Sequence, residues 1–222
     1  MVSPPRMDAG IVPVKQLNRA KGRLEGHFSR ADCTRLAAAM FEDALDFCRA
    51  ADFISWWVVS DDPTVVSTAA GRGVGTLMDR GEGLNSALVE AIGVVIESGA
   101  ESVTILPSDI PLAQTSDLID ILDTGATSDL VVVPSRADGG TNALYMSPAD
   151  LIEPQFGAGS LAAHVREAAD RALRCSILPL ERVELDIDTI DDVDAFLAVA
   201  RDGHTGELLR RLRRGAAGRD VR

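Results

Sequence analysis

The chain has 222 residues, 46% of them hydrophobic and 25% charged, and a formal net charge of −12. That length is enough for one domain with a full core, and the acidic balance excludes a general nucleic-acid binder, which needs a basic footprint. No apolar run approaches a membrane span, the N-terminal region around Arg6 has no stretch suited to a signal peptide, and Cys33, Cys48 and Cys175 form no C-x-x-C pair, so we expect a cytoplasmic protein with neither disulfides nor a zinc knuckle.

The pattern alternates strand and helix. Ile11 to Val14 reads as a first strand, followed by a loop containing Gly22 and Gly26. Ser29, with Asp32 three positions on, predicts a helix start, and Leu36, Met40, Phe41, Leu45 and Cys48 give that helix one buried face. Ile54 to Val59 is a β-branched and aromatic strand; Asp62-Pro63 opens a helix; Val74 to Leu77 is a short strand; and the glycine-rich turn Asp79 to Gly83 leads into a helix over Leu84 to Glu97. Val103 to Leu106 reads as a buried strand running straight into Pro107-Ser108-Asp109-Ile110-Pro111. A helix is expected over Ser116 to Asp123, strands over Leu130 to Val133 and Ala143 to Met146 with an Asp138-Gly139-Gly140 turn between them, and a helix over Ser160 to Ala172. Cys175 to Leu180 and Arg182 to Leu185 read as extended, and Thr189 with Asp192 starts a helix through Ala200.

Buried apolar strands alternating with amphipathic helices predict an α/β fold, a mostly parallel sheet covered on both faces. With no repeat or linker, residues 1–203 read as a single domain and 204–222 as a C-terminal helix and a basic, frayed tail from Arg210 onward. The ligand site of such a sheet lies beyond the carboxyl ends of its strands, here the loops after Val14, Leu106, Val133 and Leu185.

Those loops carry the chemistry. The first holds Lys15, Lys21 and Arg23, and Lys15 and Lys21 are the chain's only lysines. Three cations beside Gly22 suit a polyphosphate, although the loop matches neither a Walker A nor a G-x-G-x-x-G pattern and, taken alone, reads more readily as a solvated basic loop. Asp109, stiffened by Pro107 and Pro111, suits a magnesium ion or a simple turn. Asp186 and Asp188 alternate, which on a strand puts both on one face; Asp191 and Asp192 fit a helix N-terminus instead. Gly140-Thr141-Asn142, Phe156-Gly157-Ala158-Gly159-Ser160 and Gly81-Glu82-Gly83-Leu84-Asn85 join small residues to backbone donors, with plain turns as the alternative. His164 lies one turn into a helix and reads as a structural histidine.

Taken in order, Pro13-Val14-Lys15, Ala20-Lys21-Gly22-Arg23-Leu24, Gly83-Leu84-Asn85-x-Ala87, Ser108-Asp109-Ile110-Pro111, Gly140-Thr141-Asn142-Ala143-Leu144, Phe156-Gly157-x-x-Ser160-x-x-x-His164 and Asp186-Ile187-Asp188-Thr189 resemble the 2-phospho-L-lactate guanylyltransferase family, whose bacterial relatives use phosphoenolpyruvate or 3-phosphoglycerate. The resemblance runs to about Gly203. It implies a nucleotide-diphospho-sugar transferase-like three-layer α/β/α sandwich and transfer of GMP from GTP to a small phosphorylated carboxylic acid, with loss of pyrophosphate, in coenzyme F-420 biosynthesis. It implies that Lys15, Lys21 and Arg23 hold the triphosphate, that Gly83, Leu84 and Asn85 seat guanosine, that Asp109 and Asp188 bind Mg2+ with Asp186 as helper, and that Thr141, Gly157 and Ser160 hold the acceptor. It points to GTP and the phosphorylated acid as partners, with no nucleic acid or membrane, and leaves the acceptor and a homodimeric state open. The chain departs from the family at Ser108, where many relatives have Gly, and at Ile190, where relatives have Pro. Two other readings stand beside it: a same-fold nucleotidyltransferase for a sugar phosphate or a molybdenum-cofactor-like acceptor, and a non-catalytic nucleotide-binding module. The first often opens with an L-x-G-G-type loop, which Pro13-Val14-Lys15 is not.

Overall fold

A computed structural model of the chain describes residues 7–137, 139–199 and 202–217. Arg6, Asp138 of the expected turn, Ala200 of the expected helix and the tail from Gly218 lie outside these. The elements run β1 (Asp8–Pro13), two 3-10 turns (Leu17–Arg19 and Gly22–Leu24), α1 (Arg30–Ala50), β2 (Ser55–Ser60), α2 (Pro63–Gly71), β3 (Gly75–Met78), α3 (Leu84–Glu97) and β4 (Ser102–Ile105). They continue with α4 (Thr115–Gly125), β5 (Leu130–Pro134), β6 (Thr141–Met146), α5 (Ser160–Asp170), β7 (Cys175–Ile177), α6 (Glu181–Glu184), α7 (Ile190–Val199) and α8 (His204–Ala217).

The strands form one sheet in the order β3-β2-β1-β4-β6-β5-β7. β1 pairs in parallel with β2 and β4, β2 with β3, and β5 with β7; β6 alone runs antiparallel to its neighbours β4 and β5. The expected mostly parallel sheet is thus present with one reversed strand. The reversal comes from the short connection after Pro134, which is too brief for a crossover helix. It has a consequence for the site: β6 begins, rather than ends, at the edge where β1 and β4 finish, so Thr141 and Asn142 arrive there.

Alternating strand residues bury both faces. Val12, Val58, Val131, Val133 and Tyr145 meet Phe41, Leu45 and Cys48 of α1 and Leu118 and Ile121 of α4 on one side. Ile11, Val59, Val103, Ile105, Leu130, Val132 and Leu144 meet Leu88, Ala91, Ile92 and Val95 of α3 on the other. The result is the α/β/α sandwich. A third cluster lies on the outer side of α1, where Leu36 and Met40 pack with Leu24, Ile187, Val193, Phe196, Leu208 and Leu209. Because Leu24 closes the Lys21 turn and Ile187 separates Asp186 from Asp188, this cluster anchors two of the loops expected to carry chemistry.

Three local expectations are corrected. Residues 182–185 were expected to be extended, but Glu181–Glu184 is a helical turn; Val183 is the one fully buried residue in it, and so short a run shows no period. Asp186 and Asp188 do not lie on a strand: residues 185–188 belong to no regular element and pair with no strand of the sheet. The arginines from Arg210 to Arg214, expected in a frayed tail, lie in α8, which is held to α1 by Leu208, Leu209 and Leu212 at helical spacing. Ser29 caps α1 as expected, its Oγ accepting from the Asp32 amide at 3.1 Å. Among the described residues no helix is long and apolar enough to cross a membrane.

Candidate active site

At the carboxyl edge of β1 and β4 lies a cleft of about 710 Å³, within the range of small-ligand sites. Lys15, Lys21, Arg23, Asp109, Asp186 and Asp188 all line it. Gly83, Leu84, Thr141 and Gly157 also line it. Among the expected site residues, Asn85 and Ser160 stand outside the cleft wall.

The acids come together from two distant segments. Asp109 sits in the turn after β4, and its carbonyl accepts a hydrogen bond from the Ile187 amide at 3.0 Å. That bond, with Ile187 buried in the third cluster, holds the two acidic segments side by side. One carboxylate oxygen from each of Asp109, Asp186 and Asp188 lies within 4.8 Å of the others. Opposite ligands of an octahedral magnesium ion are about 4.2 Å apart, from metal–oxygen distances of about 2.1 Å. The donor set is therefore hard, anionic and close to the required span.

A cation already stands among these acids. Lys21 Nζ is 2.9 Å from Asp109 Oδ2 and 2.9 Å from Asp188 Oδ1, with its side chain only 6% exposed. Burial by itself pushes the ammonium toward its neutral form, but Asp109 and Asp188 outweigh burial and hold the pKa above its ordinary value. For Asp188 burial pulls upward, and the Lys21 ammonium overrides it, leaving the carboxyl below the usual range. Lys21 reaches this position from a left-handed backbone conformation, φ 58° and ψ 34°, at the joint between the two 3-10 turns. A side chain other than glycine adopts that conformation only when its surroundings impose it. Arg23 differs: it is 71% exposed, and its guanidinium is 3.7 Å from Asp188 Oδ2.

Asp186 has a different environment. Burial raises its pKa, and hydrogen bonding from Asn142 opposes the rise. Asn142 Nδ2 donates to Asp186 Oδ1 at 3.0 Å and to the Val183 and Glu184 carbonyls at 2.9 and 3.0 Å, while Ser135 Oγ donates to the same Asp186 oxygen at 3.2 Å. Neither Asn142 nor Ser135 was among the expected ligands, because an uncharged side chain carries no sequence signal for this role beyond its place in a loop at the carboxyl edge. Asp192, expected at a helix start, accepts from the Asp188 and Thr189 amides at 3.1 and 2.7 Å and so fixes the segment leading into α7.

The other expected residues fall into two groups. Gly83 and Gly157 take φ values of 108° and 137°, and a Cβ at either would meet nothing within 4 Å, so the requirement for glycine there is conformational. Asn85 is spent on the main chain of Phe156: its Oδ1 accepts from the Phe156 amide at 2.8 Å, and its Nδ2 donates to the Phe156 carbonyl at 3.1 Å. It clamps the glycine-rich turn before α3 to the loop before α5. Ser160 is buried at the start of α5, its Oγ without a partner among the described residues.

His164 is fully buried. Its Nε2 is 2.9 Å from the Gln155 amide, which can only donate, so the ring proton resides on Nδ1, 3.1 Å from Thr141 Oγ1. Thr141 therefore receives a hydrogen bond and keeps its own hydroxyl proton for an acceptor at the cleft. Burial lowers the His164 pKa to about 4, so the ring is neutral near pH 7.

The family described as "Guanylyl transferase CofC like" matches residues 8–217. The chain belongs to this family. Its similarity extends to a phosphoenolpyruvate guanylyltransferase of Conexibacter woesei, 35% identical over 213 residues, 92% of this chain and 96% of that protein. It is likewise similar to a 2-phospho-L-lactate guanylyltransferase of Methanocaldococcus jannaschii, 32% identical over 203 residues, 91% of this chain and 88% of that protein. A crystal structure from Desulfovibrio desulfuricans, assigned to the nucleotide-diphospho-sugar transferases, superposes with a TM-score of 0.78 at 17% identity, covering 95% of this chain and 98% of that one. The last likeness establishes the fold of this CofC-like chain as that of the nucleotide-diphospho-sugar transferases.

Proposed function

We propose that this CofC-like chain transfers GMP from GTP to a small phosphorylated carboxylic acid, phosphoenolpyruvate, 2-phospho-L-lactate or 3-phosphoglycerate, releasing pyrophosphate in the synthesis of coenzyme F-420. The observation that carries the reading is the convergence of Asp109, Asp186 and Asp188 within 4.8 Å of one another in the same cleft as Lys15, Lys21 and Arg23. Family membership and the names of the relatives support the guanylyl donor and the acceptor class.

In this reading the acceptor's phosphate oxygen forms a bond to the α-phosphorus of GTP as the bond from that phosphorus to the bridging oxygen breaks. The electron pair leaves with pyrophosphate. A phosphate monoester has a second pKa near ~6, so the nucleophile is already ionised at neutral pH and needs no general base. His164 fits this economy, since both its ring nitrogens are engaged and it stands behind Thr141 rather than in the cleft. Arg23 and Lys15 attract the polyphosphate and stabilise the charge that builds on the leaving group. Gly83 and Leu84 line the side where the nucleoside would lie. Thr141 and Gly157 offer a hydroxyl and a backbone turn to the acceptor's anionic groups. Asp109, Asp186 and Asp188 would hold a divalent cation, Mg2+, whose chemistry is to neutralise phosphate charge and align the two reactants.

The test is pyrophosphate release by the purified protein with GTP, CTP or UTP against each of the three acceptors. The reading requires turnover with GTP and at least one of them, and its loss on chelation of divalent cations. Absence of turnover with all three acceptors removes it.

A further inference from the structure

We propose that Lys21 is an internal competitor for the acid cluster: its ammonium occupies Asp109 and Asp188 until a nucleoside triphosphate offers it other anions, so that a divalent cation enters the cluster together with the nucleotide rather than ahead of it. The proposal rests on the metal reading given above for the three acids.

Lys21 Nζ contacts Asp109 Oδ2 and Asp188 Oδ1 at the same 2.9 Å, and so engages two of the three carboxylates any cation there would use. The ammonium is almost shut off from water, so repulsion between it and a dication sharing those carboxylates is weakly screened. Leaving the acids without a new partner is equally unfavourable, because a charge this deeply buried needs a counter-ion. A polyphosphate supplies one. The cleft that Lys21 lines also holds the exposed Arg23 and Lys15, which draw such an anion in. The backbone allows the exchange: Lys21 joins two single-turn 3-10 helices, is followed by Gly22, and sits in a left-handed conformation that a change of partner can relax. Leu24, fully buried, fixes the far end of the turn, so the movement is confined to the residues around Lys21.

Because Lys15 and Lys21 are the only lysines, selective 13C-lysine labelling gives one Cε signal from each, and the Lys21→Met variant assigns them. Two measurements are made on the intact chain: Mn2+ binding by electron paramagnetic resonance without nucleotide, and the lysine spectrum of the wild type with Mg2+ alone and with Mg2+ plus an α,β-methylene analogue of GTP. The proposal expects Lys21→Met to bind Mn2+ at least ten-fold more tightly than the wild type. It expects Mg2+ plus analogue, and not low-millimolar Mg2+ alone, to move the Lys21 signal. Equal Mn2+ affinities in the two proteins, or saturation of the wild type by Mg2+ with the Lys21 signal unmoved, overturns it while leaving the metal reading intact. Failure of both proteins to bind Mn2+ without nucleotide overturns this proposal, and failure to bind it with the analogue present removes the metal reading as well. The wild-type spectrum needs no substitution, so a misfolded variant does not block the test.

Discussion

Asn142 and Asp186, 44 residues apart, are joined by a hydrogen bond of 3.0 Å from the amide nitrogen to the carboxylate. The same nitrogen serves the Val183 and Glu184 carbonyls, so one buried amide aligns both the end of α6 and the acid that follows it. Asn142→Ala takes the amide donor from three acceptors, leaving Asp186 Oδ1 with Ser135 Oγ and the Glu184 carbonyl with the Arg136 amide. The expected cost is about 1–3 kcal/mol of stability, read by denaturant unfolding. Turnover should fall further than the loss of folded protein accounts for, because Asp186 loses its alignment. A variant that loses stability but keeps its specific activity would show that Asn142 serves the fold alone.

Asp109 and Asp188 are predicted to be necessary for turnover rather than for folding. Asp109→Asn keeps the shape and the backbone bond to Ile187 while removing a negative charge beside Lys21. Pyrophosphate release should fall by about 100-fold or more, the scale on which metal-centred charge stabilisation acts, with the unfolding midpoint near that of the wild type. Retention of most of the activity would exclude Asp109 from the metal site.

Much of this arrangement was legible before any coordinates, because strand-to-loop boundaries are written in local pattern: β1 ends at the Lys15 loop and β4 at Asp109, where the apolar runs stop. The pairing of Lys21 with Asp109 and Asp188 was not, since the loop that suits a polyphosphate suits carboxylates equally and only the folded chain decides which are nearest. The reversal of β6 was hidden for a similar reason, as a buried antiparallel strand between two others reads as apolar as a parallel one. The role of Ile187 was legible only in part: Asp-x-Asp marks the acids, whereas the residue between them acquires its meaning from α1 and α7.

Ile187 is therefore a test of how the site is built. It is fully buried in the cluster with Leu24 and Phe196. Ile187→Ala should cost roughly 2–5 kcal/mol of stability, the range for deleting a buried aliphatic side chain. It should also weaken Mn2+ binding in the fraction that remains folded, because the spacing of Asp186 and Asp188 depends on that anchor. Unchanged metal affinity in the folded fraction would show that the Asp109–Ile187 backbone bond positions the acids unaided.

Arg23 is an exposed cation of the cleft and has no buried role to lose. Arg23→Ala should raise KM for GTP about ten-fold, a charge-assisted contact to phosphate being worth about 1.5 kcal/mol or more, and leave KM for the acceptor within about two-fold. Steady-state kinetics with each substrate varied in turn measures the split. An equal rise for both substrates would remove Arg23 from the polyphosphate.

His164 makes a prediction in pH rather than in rate. Its pKa is lowered by burial from 6.5 to about 4 in the folded chain, while the unfolded chain keeps the ordinary value. Above pH 6.5 the ring is neutral in both states and its contribution to stability is intact. Between 6.5 and about 4 the unfolded state takes up a proton that the native state refuses, so stability falls as pH falls. The full loss is at most roughly 3 kcal/mol, from about 1.36 kcal/mol per pKa unit. Carboxylates titrate in the lower part of the same window, so the comparison is with His164→Asn, which has no ring to protonate. That variant should be less stable than the wild type at pH 7.5, having lost the bonds to Thr141 and the Gln155 amide, and the difference should shrink as pH is lowered toward 4. The acid limb of kcat should be the same in both proteins, because the ring holds Thr141 in place and exchanges no proton with the reactants. Parallel stability curves across the window would mean that the ring is hydrated and titrates normally in the native state.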